Sequence, residues 1–279
     1  MLECVVNVSE GRRTEVVAEI AATAGDDLLD LHTCFDHHRS VLTLVGEEAP
    51  RLVAAAAVAR LDLRAHVGAH PRIGVLDVVP FVPLGDTSMA AAVAARDDFA
   101  MWAATTLELP AFLYGPERSL PDVRRGAFGS LDPDLGPLLP HLSAGAVAVG
   151  ARPLLVAYNL WLGQTDLTTA RRLAASLRGP AVRALGMQVG EQVQVSMNLI
   201  DPVTAGPAEV WDAVAAELSI ERAELVGLVP QAVLDRVPQN RWATLDLSAD
   251  RTIEARLAQR SRKAERTRQA PRTRRTDES

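Results

Sequence analysis

The chain has 279 residues, 48% of them apolar, and a formal net charge of −6, which is enough for one large domain or two small ones with packed cores. No apolar run approaches the 18 or more residues of a membrane-spanning helix, and the start, Met1-Leu2-Glu3-Cys4, lacks the basic region of a signal peptide. Two cysteines, Cys4 and Cys34, argue against a disulfide framework and for a reducing cytoplasm.

Lys263 is the only lysine. The body of the chain therefore has no residue for a lysine Schiff base and none for a P-loop lysine. Neither GxGxxG nor GxSxG occurs. Charge is uneven: residues 256–279 hold nine basic side chains against three acidic ones. Such a tail could touch nucleic acid or an acidic partner. Its lack of apolar periodicity and aromatics favours a solvated, disordered tail instead.

In chain order, residues 2–8 read as a strand and 14–24 as a helix, with Val16, Val17, Ile20 and Ala21 at helical spacing. Residues 27–35 and 40–46 read as strands around the short turn Asp36-His37-His38-Arg39, a hairpin. An alanine-rich helix follows over 49–61. The loop Arg64-Ala65-His66-Val67-Gly68-Ala69-His70-Pro71-Arg72-Ile73-Gly74 then leads into a buried strand over 75–79. Residues 88–107 read as a helix and 111–114 as a strand. Residues 115–145 are irregular, with one short helix near 120–125, a stretch that usually lines or covers a site. Strands over 146–150 and 153–162 come next.

The second half repeats the order: a helix over 166–177 capped by Thr165, strands over 182–188 and 192–199, a helix over 206–218 and a strand over 223–229. The fold class expected is α/β (α+β): two ferredoxin-like β-α-β-β-α-β subdomains, each a mixed sheet with helices packed on it. The division expected is 1–152, 153–255 and a basic tail over 256–279.

Five of the six histidines, His32, His37, His38, His66 and His70, lie between positions 32 and 70. The cluster has three readings. His66 and His70 have the i, i+4 spacing of a helical zinc pair, but Gly68 and Pro71 oppose that helix and no glutamate stands between them. One histidine can instead act as general acid/base among polar neighbours. Some can simply bond backbone groups. Arg39 and Arg72 suit an anionic, carboxylate-bearing ligand, although either can pair with Asp36 or Asp77. Asn7, Ser9 and Glu10, at the end of the first strand, fit a site and fit a turn equally well.

Together these stretches resemble the glutamate formiminotransferase family, the transferase part of formiminotransferase-cyclodeaminase. The matching pieces are ECVVNVSEG at 3–11, DHHRSVLTLVG at 36–46, HVGAHPRIG at 66–74, DVVPFVP at 77–83, DVRRG at 122–126, VGARP at 149–153, VQVSMN at 193–198 and ELVGLVP at 224–230. The resemblance implies transfer of a formimino group from N-formimino-L-glutamate to tetrahydrofolate, a co-substrate held between two α/β subdomains of a homodimer in the cytoplasm. It implies no metal and no membrane partner. The catalytic histidine maps to His70. The substrate-binding set is Asn7, Glu10, His38, Arg39, His66 and Arg72. The folate-contacting segment maps to 136–145, with Gly136, Pro137, Ser143, Ala144 and Gly145 as contacts. His38 stands where the family usually has Asn, Ala69 where it has Glu, and Val6 where it has Pro. A formyl-transferring or non-catalytic folate-binding relative is the alternative that these departures raise.

Overall fold

The computed structural model describes residues 1–68 and 72–269, with side chains to residue 266. The first half runs β1 (Leu2–Val8), α1 (Thr14–Ala22), β2 (Leu28–Cys34), β3 (Arg39–Val45), α2 (Glu48–Arg60), β4 (Leu76–Pro83), α3 (Met89–Thr106), β5 (Ala111–Tyr114), α4 (Leu120–Gly126) and β6 (Val147–Ala151). These strands form one sheet in the order β2-β3-β1-β4-β6-β5. The first four give the ferredoxin-like order expected. β6 and β5 extend the sheet beyond β4, both in parallel. Parallel pairing needs a long crossover, and α3 supplies it between β4 and β5.

The alternation of β1 decides how this sheet is used. Cys4, Val6 and Val8 point to one face and pack with Ile20, Val53, Ala57 and Phe99 from the helices. Glu3, Val5 and Asn7 point to the other face, away from that core. Small side chains on α2 and α3 (Ala54, Ala57, Ala92, Ala100 and Ala103 are fully buried) let these helices lie close to the sheet. That is how a chain with few aromatics fills its core.

The second half runs β7 (Val156–Leu162), α5 (Leu167–Leu177), β8 (Val182–Val189), β9 (Gln192–Leu199), α6 (Pro207–Ala215), β10 (Ile220–Val226) and α7 (Gln231–Leu234). Its strands pair antiparallel in the order β10-β7-β9-β8, again ferredoxin-like. The cap of α5 is Asp166, whose carboxylate accepts from Thr169 N at 2.7 Å, one residue after the Thr165 expected from sequence. A carboxylate at this position also meets the positive end of the helix. Pro207 opens α6, where a missing N–H costs nothing.

The tail expected to be disordered from 256 is a helix over its first part: α8 (Ile253–Gln269). Ile253 and Leu257 join Leu29, Val45 and Leu228 in an apolar cluster between the halves. Arg260 and Lys263 each pair at 2.6 Å, with Asp27 and Asp26, and Arg256 lies 3.7 Å from Asp30. Spacings of four and three put these cations on one face. The two apolar anchors, one turn apart, lie just before the net positive run and inside it. Residues 270–279 lie outside the described residues. Among the described residues no helix is long and apolar enough to cross a membrane.

Cutting the chain after Thr252 removes Ile253 and Leu257 from their cluster. The loss of their burial costs at least about 3 kcal/mol, so the truncated protein melts roughly 6–12 °C lower by calorimetry. An unchanged melting temperature would show that α8 does not clasp the two halves.

Candidate active site

The two sheets turn their polar faces toward each other and enclose a cavity. About 1110 Å³ of space free of protein atoms lies between them, open solvent at the mouth included. Register places its walls in rows. Asn7, Val41 and His32 are cross-strand partners in the first sheet, and Glu224, Asn159 and Ser196 are partners in the second. The rows meet where His32 Nε2 lies 3.1 Å from Glu224 Oε1. Asn159 Nδ2 and Trp161 Nε1 both donate to Glu224 Oε2, at 3.0 and 2.8 Å. Burial alone would raise the Glu224 carboxyl, but the hydrogen bonds from His32, Asn159 and Trp161 outweigh it and hold the group at about 2.

At one end of the cavity lies a buried ionic network. Arg39 donates to Asn7 Oδ1 through Nε at 3.0 Å and Nη2 at 2.7 Å, and to Asp77 Oδ2 through Nη1 at 3.0 Å. Arg124 donates to the same Asp77 oxygen at 2.7 Å, and the Ile73 amide reaches Asp77 Oδ1 at 2.9 Å. Asp77 is only 1% exposed. Arg39 thus pairs with Asp77, the alternative fate that its sequence position allowed. Arg72 turns back on its own loop, donating to the carbonyls of Gly68 at 3.1 Å and His66 at 2.9 Å.

The histidine loop closes on the hairpin between β2 and β3. His66 Nε2 donates to the His38 carbonyl at 3.0 Å, and the two rings stack at 4.1 Å. A carbonyl can only accept, so neutral His66 carries its proton on Nε2. Its Nδ1 is buried and has no hydrogen-bond partner among the described residues. Burial lowers the pKa of both histidines. His38 adopts φ +50°, a region that Asn and His enter more readily than most residues. This is why His can stand here in place of the Asn usual in the resemblance. At the end of the loop, a Cβ on Gly74 would fall 1.9 Å from the Ala146 carbonyl oxygen, so only glycine lets the loop run this close to β6.

Glu10 serves the backbone. Its Oε1 accepts from the amides of Gly11, Arg12 and Arg13 at 2.8–3.0 Å, and Arg13 Nε meets Oε2 at 2.6 Å. Burial opposes ionisation, yet the Arg13 and Arg12 amides and the Arg13 side chain bring this carboxyl down to about 2. The predicted folate segment packs beside the histidine loop. Gly74 bridges Gly145, Leu63 N donates to Ser143 O at 2.7 Å, and Val75 N donates to Ala144 O at 2.9 Å. Gly136 and Pro137 are exposed. None of these five residues is among the cavity walls. His70 lies outside the described residues.

The structure adds residues that the sequence reading did not commit to: Asp77, Arg124, Arg152, Glu224 and the pair Cys34–His37. Cys34 Sγ lies 2.9 Å from His37 Nδ1, and His37 Nε2 lies 2.7 Å from Gln194 Nε2 of the opposite sheet. Asp77 and Glu224 stand inside the stretches that carry the resemblance, but an acid in a strand gives no sign of which face it takes. Among the described residues, no three His, Cys, Asp or Glu side chains are grouped so as to hold a metal ion.

Two ferredoxin-like units facing each other across a polar, histidine-rimmed cavity define a two-subdomain α/β protein that houses its site between its sheets. The formiminotransferase domain, N-terminal subdomain, matches residues 1–152. Over 84% of its length the chain is 32% identical to glutamate formimidoyltransferase of Streptococcus pyogenes serotype M1, covering 90% of that protein. It is 33% identical to the protein of the same name from Thermoplasma acidophilum, again over 90% of it. It is 34% identical to formimidoyltransferase-cyclodeaminase of Sus scrofa, of which it spans 51%. The chain belongs to the formiminotransferase family.

Two carboxyls held at about 2 instead of the ordinary 4.5 set an acid limit. Their stabilisation is complete above pH 4.5 and is lost as pH falls from there toward 2. Urea denaturation at stepped pH will show stability falling across this window. The slope will be shallower in Glu10→Gln and Glu224→Gln; an identical slope in both variants would contradict the assignment.

Proposed function

We propose that the protein transfers the formimino group of N-formimino-L-glutamate to tetrahydrofolate, releasing 5-formiminotetrahydrofolate and L-glutamate. This is a step of histidine degradation and one-carbon metabolism. The observation that carries the reading is the likeness over 84% of the chain to proteins named glutamate formimidoyltransferase. The cavity supports it. Its walls are set by both sheets, so a ligand between them touches both halves at once. Arg152 lines it at the level of Glu3, about 14 Å along β1 from Asn7. That spacing suits a long co-substrate with its reacting ring near Asn7 and its carboxylates near Arg152.

The reaction needs proton transfer at two nitrogens. Folate N5 must lose a proton and the departing glutamate nitrogen must gain one. We assign both transfers to His70, as base and then acid; the assignment rests on its place in the HVGAHPRIG loop. His66 and His38 flank that loop as a neutral stacked pair, and Asn7, Arg39 and Asp77 form a rigid floor against which the donor is held. Both cysteines are free thiols, which suits the cytoplasm. The assembly proposed is a homodimer, and a folate-contacting role is proposed for 136–145, which packs beside the histidine loop.

His70→Ala tests the assignment. Turnover of tetrahydrofolate with formiminoglutamate should fall by about 10²–10⁴ while the folate Kd changes little. Turnover equal to that of the unaltered protein would remove His70 from its role.

A further inference from the structure

Glu224 lies mostly buried in the cavity wall, and the proton transfers assigned above make no use of it. An ionised carboxylate only accepts. His32 Nε2 therefore donates to Oε1, while the Asn159 amide and the Trp161 indole donate to Oε2. Oε2 has both lone pairs taken and Oε1 keeps one. Among the described residues no arginine or lysine pairs with this group. Arg222, two positions earlier on β10, stacks on the Trp161 ring instead, 4.1 Å from its centroid. Asn159 and Trp161 are neutral donors, so dipoles satisfy the carboxylate while no fixed positive charge balances it. A carboxylate held in this way draws a cation into the space it faces.

The opposite charge lies elsewhere in the same cavity. Asn7, Val41 and His32 are neighbours across three strands, so His32, with Glu224 against it, stands roughly 10 Å across the sheet from Asn7. The buried network at Asn7 sets two guanidiniums, Arg39 and Arg124, against the one carboxylate of Asp77. The space between the sheets thus runs from an anionic wall to a net cationic floor. N-formimino-L-glutamate carries the complementary pattern. Its amidine is a strong base and bears a proton at neutral pH, and its two carboxylates lie away from that group.

We propose that Glu224 is the counter-ion of the donor's formamidinium group, accepting a hydrogen bond from its terminal nitrogen and selecting a formimino over a formyl donor. The inference rests on the formimino-transfer reading and deepens it. N-formyl-L-glutamate has nearly the same shape, but an oxygen replaces the terminal nitrogen. That oxygen only accepts, so against a carboxylate it opposes lone pairs and makes no hydrogen bond. The protonated amidine is also the more electrophilic form. Glu224 holds that form without taking its proton, because the hydrogen bonds from His32, Asn159 and Trp161 keep the carboxyl ionised far below neutral pH.

The test is steady-state kinetics of the full-length protein and of Glu224→Gln, with N-formyl-L-glutamate as a neutral competitor of the donor. The proposal expects Glu224→Gln to raise the KM for formiminoglutamate roughly 10- to 100-fold, the worth of one hydrogen bond to a charged group. The inhibition constant of N-formyl-L-glutamate should stay the same or fall, and the tetrahydrofolate Kd should change little. An unchanged KM would overturn the proposal and leave the formimino-transfer reading intact. So would a KM and an inhibition constant that rise together, which would give Glu224 a role in the shape of the wall alone. If Glu224→Gln does not fold, the unaltered protein decides. Formamidinium chloride should compete with the donor at concentrations where formamide, its neutral isostere, does not; equal inhibition by the two would overturn the proposal. No turnover of formiminoglutamate by the unaltered protein would overturn both readings.

Discussion

Asp77 ties together four segments that are distant in sequence. It takes one guanidinium from β3, another from α4 and a backbone amide from the end of the histidine loop, and through Arg39 it reaches Asn7 on β1. The two arginines and the Ile73 amide hold its carboxyl below the usual range against the opposing effect of burial. A buried carboxylate with two guanidiniums is not a cheap way to stabilise a fold, because desolvation offsets much of the attraction. Removing one member is costly, about 3–5 kcal/mol, since it leaves an unbalanced charge. The network therefore fixes geometry more than it adds stability. The start of β4 and Ile73 just before it are thereby tied to β1 and β3.

The rest of the architecture follows from the need to keep two polar sheet faces near each other. Each sheet buries its apolar face under its own helices, leaving Glu3, Asn7, His32, Asn159 and Glu224 on the inner faces. Such faces have little hydrophobic reason to approach. The approach is secured at one side by the cluster of Leu29, Val45, Leu228 and Ile253. It is reinforced by the basic face of α8 on Asp26, Asp27 and Asp30. Across the cavity itself the links are polar and specific: His32 with Glu224, and His37 with Gln194. A cavity built this way is preorganised at its walls yet held by few contacts.

Much of the fold was legible because alternation and helical spacing are local. β1, β3, α3, β8 and β9 stand within a residue or two of their expected places, whereas β7 begins three residues later than expected and β10 lies three residues earlier. Two features were not local. The parallel strands β5 and β6 join a sheet whose order only tertiary pairing reveals, and α8 depends on Ile253 and Leu257 meeting residues more than two hundred positions away. The site shows the same split. The histidine loop announced itself through residue type and glycine spacing. Arg39 and Arg72 read either as holders of a carboxylate ligand or as partners of Asp36 or Asp77, and only the fold shows Asp77 taking Arg39 and the loop carbonyls taking Arg72. Glu10 read as a ligand for the substrate because its capping of three successive amides is a property of the folded turn. Glu224 and Gln194 lie on strands whose inner faces are known only once the sheets are paired.

The most direct measurement on the central claim is the reaction itself. Purified protein is given tetrahydrofolate with either formiminoglutamate or formylglutamate, and product is followed by absorbance after acid conversion to methenyltetrahydrofolate. Formimino transfer predicts product from formiminoglutamate and little from the formyl compound. Product from formylglutamate alone, or folate binding with no product from either, would contradict it and assign the substitutions at Ala69 and His38 to a changed or lost activity.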